Sequence, residues 1–152
     1  MLGFFFVLIL TGAGLSLAGS THPVGITLPW LPVGVGVVGA VIFGWPAYPV
    51  ILVAALVNNL PGMMSLAFGL PLIQWIAAAV IETGVVILAK QFYHRVVPGG
   101  ITSFVEELKF IGLVCVLPPA VGAVLEWINL ATLALPASLS DLALATFIAF
   151  TS

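Results

Sequence analysis

Charge is what this sequence has least of. Its 152 residues include three lysines and arginines and five aspartates and glutamates, so 5% of the chain is charged and 62% is hydrophobic. Soluble domains are about 25% charged. The three cations are also too few for the clustered basic face that nucleic acid requires. The composition therefore predicts an integral membrane protein surrounded by a lipid bilayer, with no nucleic-acid partner.

Cysteine and histidine, the usual metal ligands, are scarce as well. The single Cys115 cannot form an internal disulfide, and its apolar neighbours predict a small buried hydrophobic side chain. His22 and His94 fall in segments that should lie on opposite sides of a membrane. No nucleophile, base and orienting acid share one side either. We therefore expect no metal, no cofactor and no enzyme activity.

Apolar runs separated by glycine and proline account for most of the chain. They predict an all-α membrane bundle of about five to six transmembrane or re-entrant helices, because a span needs about 20 apolar residues. The first run is compatible with a cleaved signal, but no Lys or Arg precedes it, which favours a retained span. The runs cover residues 2–18, 31–44, 47–60, 66–92, 104–132 and 139–150.

Residues 31–60 contain no charged side chain and are interrupted once, at Gly44-Trp45-Pro46. Each arm has about fourteen residues, or roughly 21 Å of helix, against about 30 Å of hydrocarbon. Two short spans, one long kinked span and a re-entrant hairpin are all compatible with these lengths. A hairpin is favoured, because glycine ends helices and proline opens them. Trp45 and Pro46 are therefore hinge candidates.

Three glycines in the first arm, Gly34, Gly36 and Gly39, match the dinucleotide-binding pattern G-x-G-x-x-G. That motif requires a preceding strand and an acidic residue about twenty positions later. Residues 50–60 contain no acid. The glycines instead predict close helix packing, since small residues let backbones approach each other in lipid.

Glu82 lies inside the apolar run 66–92. If Lys90 marks the membrane interface, Glu82 is about 12 Å deeper along the helix, near the bilayer midplane. An acid at that depth is costly and is a candidate functional residue. The alternative is a protonated or hydrogen-bonded glutamate that fixes helix packing. We expect Asn58 or Asn59, on a neighbouring helix, to complete a polar site with Glu82.

Residues 90–109 contain all three cations, Lys90, Arg95 and Lys109. The positive-inside rule places this loop in the cytoplasm. Ser103 and Glu106 have the spacing of a capping box, which predicts a helix beginning near residue 104.

That helix should run to about residue 132, interrupted by Pro118 and Pro119. Consecutive prolines kink a helix and free backbone carbonyls, which makes them a second pair of hinge candidates. Glu126 and Asn129 fall near the far end of the run, where we expect them at the membrane interface.

Several motifs together resemble the first type of bacterial membrane-associated sensor domain, the MASE family. They are Trp30-Leu31-Pro32-Val33-Gly34, Trp45-Pro46, Asn58-Asn59-Leu60, the Glu82 helix, its basic end at Lys90 to Arg95, and the acidic start of the next helix. The resemblance covers about residues 24–135. Two features depart from the family: Val33 replaces a frequent small hydroxyl residue, and the chain ends before the expected later spans.

The resemblance implies one multi-pass sensor domain over residues 1–152 in the bacterial inner membrane. Such domains regulate histidine kinases or cyclic di-GMP enzymes, so a cytoplasmic output domain or partner is expected, although this chain has none. A homo-oligomer is compatible with this organisation. The implied signal-sensing candidates are Glu82, Asn58, Asn59, Trp30 and Gly34.

A small-solute transporter or transporter subunit is the alternative. Broken helices with polar residues near the midplane are typical of transport sites. Against it, the chain has no internal repeat and one deep charge. A purely structural membrane subunit is a third possibility.

Overall fold

The computed structural model of the chain describes residues 1–18, 31–60 and 72–132. The predicted all-α class is confirmed for this part of the chain. His22, Trp30 and the apolar run 139–150 lie outside the described residues. The described part forms five helices: α1 (Leu2–Ala18), α2 (Leu31–Phe43), α3 (Ala47–Asn58), α4 (Leu72–Val96) and α5, a continuous helix made of Phe104–Phe110, Ile111–Val116 and Leu117–Ala131.

Helix α4 is the centre of the bundle. It packs against α2, α3 and α5, while α1 packs against α2 and α3. Phe5 and Ile9 of α1 are buried in the main core cluster. The rest of that cluster is mostly small: Ala40, Ala47, Ile51, Ala54 and Val86.

Large apolar side chains cover the outside of the bundle. Phe4, Ile42 and Ile73 are 75%, 68% and 71% exposed. Two helical stretches, Leu72–Val96 and Phe104–Asn129, are long and apolar enough to cross a membrane. In the most apolar 18 residues of each stretch, 33% and 28% are buried. Helices α2 and α3 have 13 and 12 residues and are shorter than a full span.

The chain reverses direction between α2 and α3. Gly44 has φ +69°, a left-handed conformation that suits glycine, and Pro46 precedes the first residue of α3. A Cβ added to Gly36 would lie 3.9 Å from Cδ1 of Ile51, so the two helices lie side by side. The single kinked span is therefore wrong, and the reversal agrees with both two short spans and a re-entrant hairpin.

Helix α4 ends later than predicted. It continues to Val96, so Lys90, His94 and Arg95 lie on its last turns and the connecting loop is confined to residues 97–103. Basic side chains stabilise the carboxyl end of a helix, where the backbone dipole is negative. Pro98 is the first residue that cannot continue the helix.

The predicted start of α5 is confirmed by a complete capping box. The Glu106 backbone N–H donates to the Ser103 hydroxyl oxygen at 3.3 Å. The Glu106 carboxylate accepts from the backbone N–H groups of Ser103 at 3.1 Å and Thr102 at 2.8 Å. These bonds satisfy amides that have no partner inside the helix.

Replacing Ser103 with alanine should loosen this end of α5. Loss of a capping hydroxyl costs about 1 kcal/mol. We expect Ser103→Ala to speed hydrogen exchange of the amides in the first turn about fivefold, while Ser103→Thr retains slow exchange. Equal exchange in the alanine and threonine variants would argue against a stabilising cap.

The two prolines of α5 do not interrupt it. Because proline has no N–H, Pro118 and Pro119 cannot donate to the carbonyls four residues earlier. The preceding stretch Ile111–Val116 is π-helical, and the Leu117 N–H donates to the Gly112 carbonyl five residues back. The predicted interruption is thus a wider turn within one continuous helix, a feature often found at functional sites.

Candidate functional site

A polar contact lies between α3 and α4 in this apolar bundle. Asn59, directly after the last residue of α3, donates a hydrogen bond from Nδ2 to Oε1 of Glu82 at 3.1 Å. Glu82 is the eleventh of the 25 residues of α4 and is half-buried. The structure therefore brings together two of the residues proposed from the sequence.

A tryptophan fixes the end of α3 against the start of α4. The indole Nε1 of Trp75 donates to the backbone carbonyl of Leu56 at 3.0 Å. Carbonyls in the last turn of a helix lack donors within that helix, so this bond satisfies one of them. It also holds Asn58 and Asn59 beside the first half of α4.

Helix α5 contributes a second acid to the same region. Nδ2 of Asn129 donates to the Gln74 backbone carbonyl at 3.1 Å and to Oε1 of Glu126 at 3.4 Å. Through Asn129, Glu126 is held beside the first turns of α4. Glu126 and Asn129 are half-buried between α4 and α5.

The spacing of these residues in the sequence indicates that they share helix faces, which we did not predict. Gln74 and Glu82 are eight residues apart, which places them on one face of α4, about 12 Å apart along the axis. Glu126 and Asn129 are three apart and share a face of α5. We call the polar side chains at this end of α3, α4 and α5 the polar site: Asn58, Asn59, Gln74, Glu82, Glu126 and Asn129.

Three atoms of the polar site are buried without a hydrogen-bond partner. They are Nδ2 of Asn58, Oε1 of Gln74 and Oε2 of Glu126. A buried polar atom without a partner costs about 1–3 kcal/mol, so most such atoms in folded proteins have one. The polar site therefore has unused capacity for one donor and two acceptor interactions.

The positive charges of the chain lie at the other end of the bundle. Nζ of Lys90 is 5.3 Å from the centroid of the Tyr48 ring, in the first turn of α3. Asn59, at the opposite end of α3, is about 16 Å away along the helix axis. Arg95 lies beyond Lys90 on α4, and Lys109 belongs to the first turns of α5. The two carboxyl groups of the polar site are thus remote from every lysine and arginine of the chain.

The other sensing and hinge candidates lie outside the polar site. Gly34 is exposed and lines an apolar cavity of about 970 Å³ between α1, α2, α4 and α5. Cys115 lines the same cavity and is exposed, so the prediction of a buried cysteine is wrong. Trp45 is 78% exposed at the α2–α3 turn beside the exposed Pro46.

The three glycines of α2 differ in how closely they pack against other helices. A Cβ on Gly39 would overlap the ring of Phe5, and one on Gly36 would lie 3.1 Å from Cγ2 of Val86. A Cβ on Gly34 would contact nothing within 4 Å. Close packing, as predicted, therefore holds at Gly36 and Gly39 but not at Gly34.

Within residues 1–18, 31–60 and 72–132, no group of three or more His, Cys, Asp or Glu side chains could hold a metal ion. No family model matches the chain, and comparison with curated proteins and with solved structures gives no significant match.

Proposed function

We propose that this chain is a membrane sensory module of the bacterial inner membrane, which detects a signal at the polar site and relays it by helix rearrangement. The output would be a cytoplasmic histidine kinase or cyclic di-GMP enzyme, in the same polypeptide or in a partner. The observation that carries this proposal is the hydrogen bond from Asn59 to Glu82. It joins two of the segments on which the family resemblance rests.

The distribution of side chains supports a membrane location. Small residues pack between the helices, and large apolar residues such as Phe4 and Ile42 face outward. This arrangement suits lipid, where small residues allow close helix packing and exposed apolar surface has no cost. Threonine hydroxyls in the helices donate to carbonyls four residues earlier, as Thr83 does to Ala79 at 2.8 Å. Such bonds keep hydroxyl groups satisfied away from water.

Helix α4 offers a direct mechanical link across the bundle. It runs without a break from Gln74 and Glu82 in the polar site to Lys90 and Arg95 at the basic end. A signal that separates Asn59 from Glu82 would free α4 to shift or rotate as a rigid rod. At its far end, that motion would change the contact of Lys90 with Tyr48. Shifts of about 1–2 Å between packed helices are a common switching mechanism.

Charge removal at Glu82 tests the proposal. Glu82→Gln keeps an acceptor for Asn59 but removes the carboxylate, so the helices should pack normally while the response to the signal changes. With the chain fused to a cyclic-di-GMP-synthesising domain, we expect cellular cyclic di-GMP to change at least threefold. The fusion should reach the membrane at the same level.

Glu107→Gln is the matched control, because Glu107 is exposed in the first turns of α5. It should leave the cyclic di-GMP level within the error of the measurement. A Glu82→Gln fusion that also signals like the parent would argue against a sensory role of the polar site.

A small-solute transporter is the second candidate function. The buried atoms of Asn58, Gln74 and Glu126 without partners support it, since a transport site must offer free groups to its cargo. Uptake of labelled solutes into vesicles containing the purified chain distinguishes the two. Uptake that Glu82→Gln abolishes would favour the transporter, and vesicles that exclude every solute tested would favour the sensor.

A further inference from the structure

We propose that the apolar cavity between α1, α2, α4 and α5 binds a hydrophobic alcohol from the bilayer, whose hydroxyl group donates to the backbone of α5. The cavity has a volume of about 970 Å³. It shares no residue with the polar site. The inference therefore goes beyond the proposed function and does not depend on it.

The shape and lining of the cavity suit a hydrocarbon chain. Among the described residues that line it, Tyr93 and Cys115 alone have a polar side-chain atom. The lining on α4 runs from Val85 to Tyr93, about 12 Å along the helix, which is close to the roughly 15 Å of hydrocarbon in one leaflet. Phe4 and Ile42 also line the cavity and are 75% and 68% exposed. The cavity therefore opens on the lipid-facing surface, and its ligand comes from the bilayer.

The wall formed by α5 adds hydrogen-bond acceptors to this apolar space. In an α-helix each carbonyl accepts from the N–H four residues later, and in a π-helical turn from the N–H five residues later. For the Val114 carbonyl these donors would be Pro118 and Pro119, which have no N–H. The Cys115 carbonyl loses its α-helical donor at Pro119 as well. Val114 and Cys115 both line the cavity, so the carbonyls freed by the two prolines belong to its wall.

These carbonyls define the polar group of the ligand. A backbone carbonyl in the hydrocarbon region needs a partner from protein or ligand, because no water is there to bond it. The lining offers no charged side chain to hold an ion. A hydroxyl group supplies one donor without charge, and an apolar molecule can carry it into the bilayer. A hydrophobic alcohol therefore matches both the apolar walls and the free acceptors.

Photo-crosslinking to the full chain in phosphatidylcholine nanodiscs tests the proposal, because this lipid has no O–H or N–H group that could compete. The probe is a long-chain alcohol with a diazirine group in its chain. The competitors are the isomers 1-dodecanol and 1-methoxyundecane, which differ in the O–H group. We expect saturable crosslinks to residues 33–43 and 110–119. Dodecanol should compete about fivefold better than methoxyundecane, the ratio expected for one additional hydrogen bond.

Restoring the missing N–H groups tests the role of the carbonyls. Pro118→Ala combined with Pro119→Ala returns both donors to α5, and alanine favours a helix. This variant should still bind both isomers but lose the preference for dodecanol. Circular dichroism checks that helix content is retained. Each single alanine variant should show a reduced preference, which keeps the test valid if the double variant does not fold.

Filling the cavity tests its location. Gly34 lines the cavity, and a Cβ there has no neighbour within 4 Å, so Gly34→Leu adds volume without displacing the core. Crosslinking should fall about tenfold, because the added side chain occupies the space of the ligand. Gly84→Leu is the matched control, since Gly84 is equally open but does not line the cavity. It should crosslink like the parent protein.

Two results would overturn the proposal. Equal competition by the two isomers, or a dodecanol preference that survives both alanine substitutions, would show that the α5 carbonyls do not bind the hydroxyl group. Crosslinks that Gly34→Leu leaves unchanged would show that the ligand lies outside the cavity. Neither result affects the cyclic di-GMP level of the Glu82→Gln fusion, so the sensory function is tested separately.

Discussion

Gly39→Leu should disrupt the bundle, while the same substitution at Gly34 should be tolerated. A Cβ on Gly39 would already overlap the ring of Phe5, which is 4% exposed and packs against Phe43 with ring centroids 5.5 Å apart. The ring cannot move aside without displacing its neighbours in the core. Forcing a large side chain into a packed interface costs about 1–3 kcal/mol and occasionally more. We expect a loss of about 3 kcal/mol, at the upper end of this range.

Gly34→Leu is the matched control, on the same helix and with the same added volume. A Cβ at Gly34 has no neighbour within 4 Å, and the position borders an apolar cavity. Unfolding in mixed detergent micelles, followed by circular dichroism, compares the two variants. Equal stability of both proteins would show that α1 does not pack against α2 through Gly39.

Asn59→Leu should destabilise the contact between α3 and α4. The Asn59 side chain donates the hydrogen bond that Glu82 receives from α3 at 3.1 Å. Removing the donor leaves a half-buried acid without that partner. The expected cost is about 2 kcal/mol, within the range for a hydrogen bond to a charged or strongly polar group.

A double substitution distinguishes this bond from general packing. When both partners become apolar, the cost of an unsatisfied polar group disappears. Asn59→Leu combined with Glu82→Leu should therefore recover most of the stability lost in Asn59→Leu alone. A strictly additive loss, measured in the same detergent assay, would mean that the two side chains are not energetically coupled.

Local patterns in the sequence predicted the features that depend on neighbouring residues. The Ser103–Glu106 capping box and the break at Gly44-Trp45-Pro46 both appear where the pattern places them. Both depend on backbone chemistry within a few residues. A capping hydroxyl satisfies a nearby amide, and glycine followed by proline ends one helix and begins another.

Features that depend on several helices were harder to predict. Asn129 bonds both Gln74 of α4 and Glu126 of α5, a contact between helices that no local pattern predicted. The direction in which a side chain points is set by helix phase. In α5 the π-helical stretch before Pro118 changes that phase, which a regular 3.6-residue period does not include.

The sequence by itself determined the helical class, the apolar surface, the Ser103–Glu106 cap and the Gly44-Trp45-Pro46 break, because each follows from the hydrophobicity of a run or the chemistry of a few adjacent residues. The tertiary structure alone decided which glycine is essential and which polar groups meet. Gly36 and Gly39 face another helix whereas Gly34 does not, and Asn129 bonds Gln74, which lies 55 residues earlier in the chain. Both outcomes depend on how whole helices rotate and pack against each other, and that arrangement minimises the free energy of the entire bundle rather than of any segment.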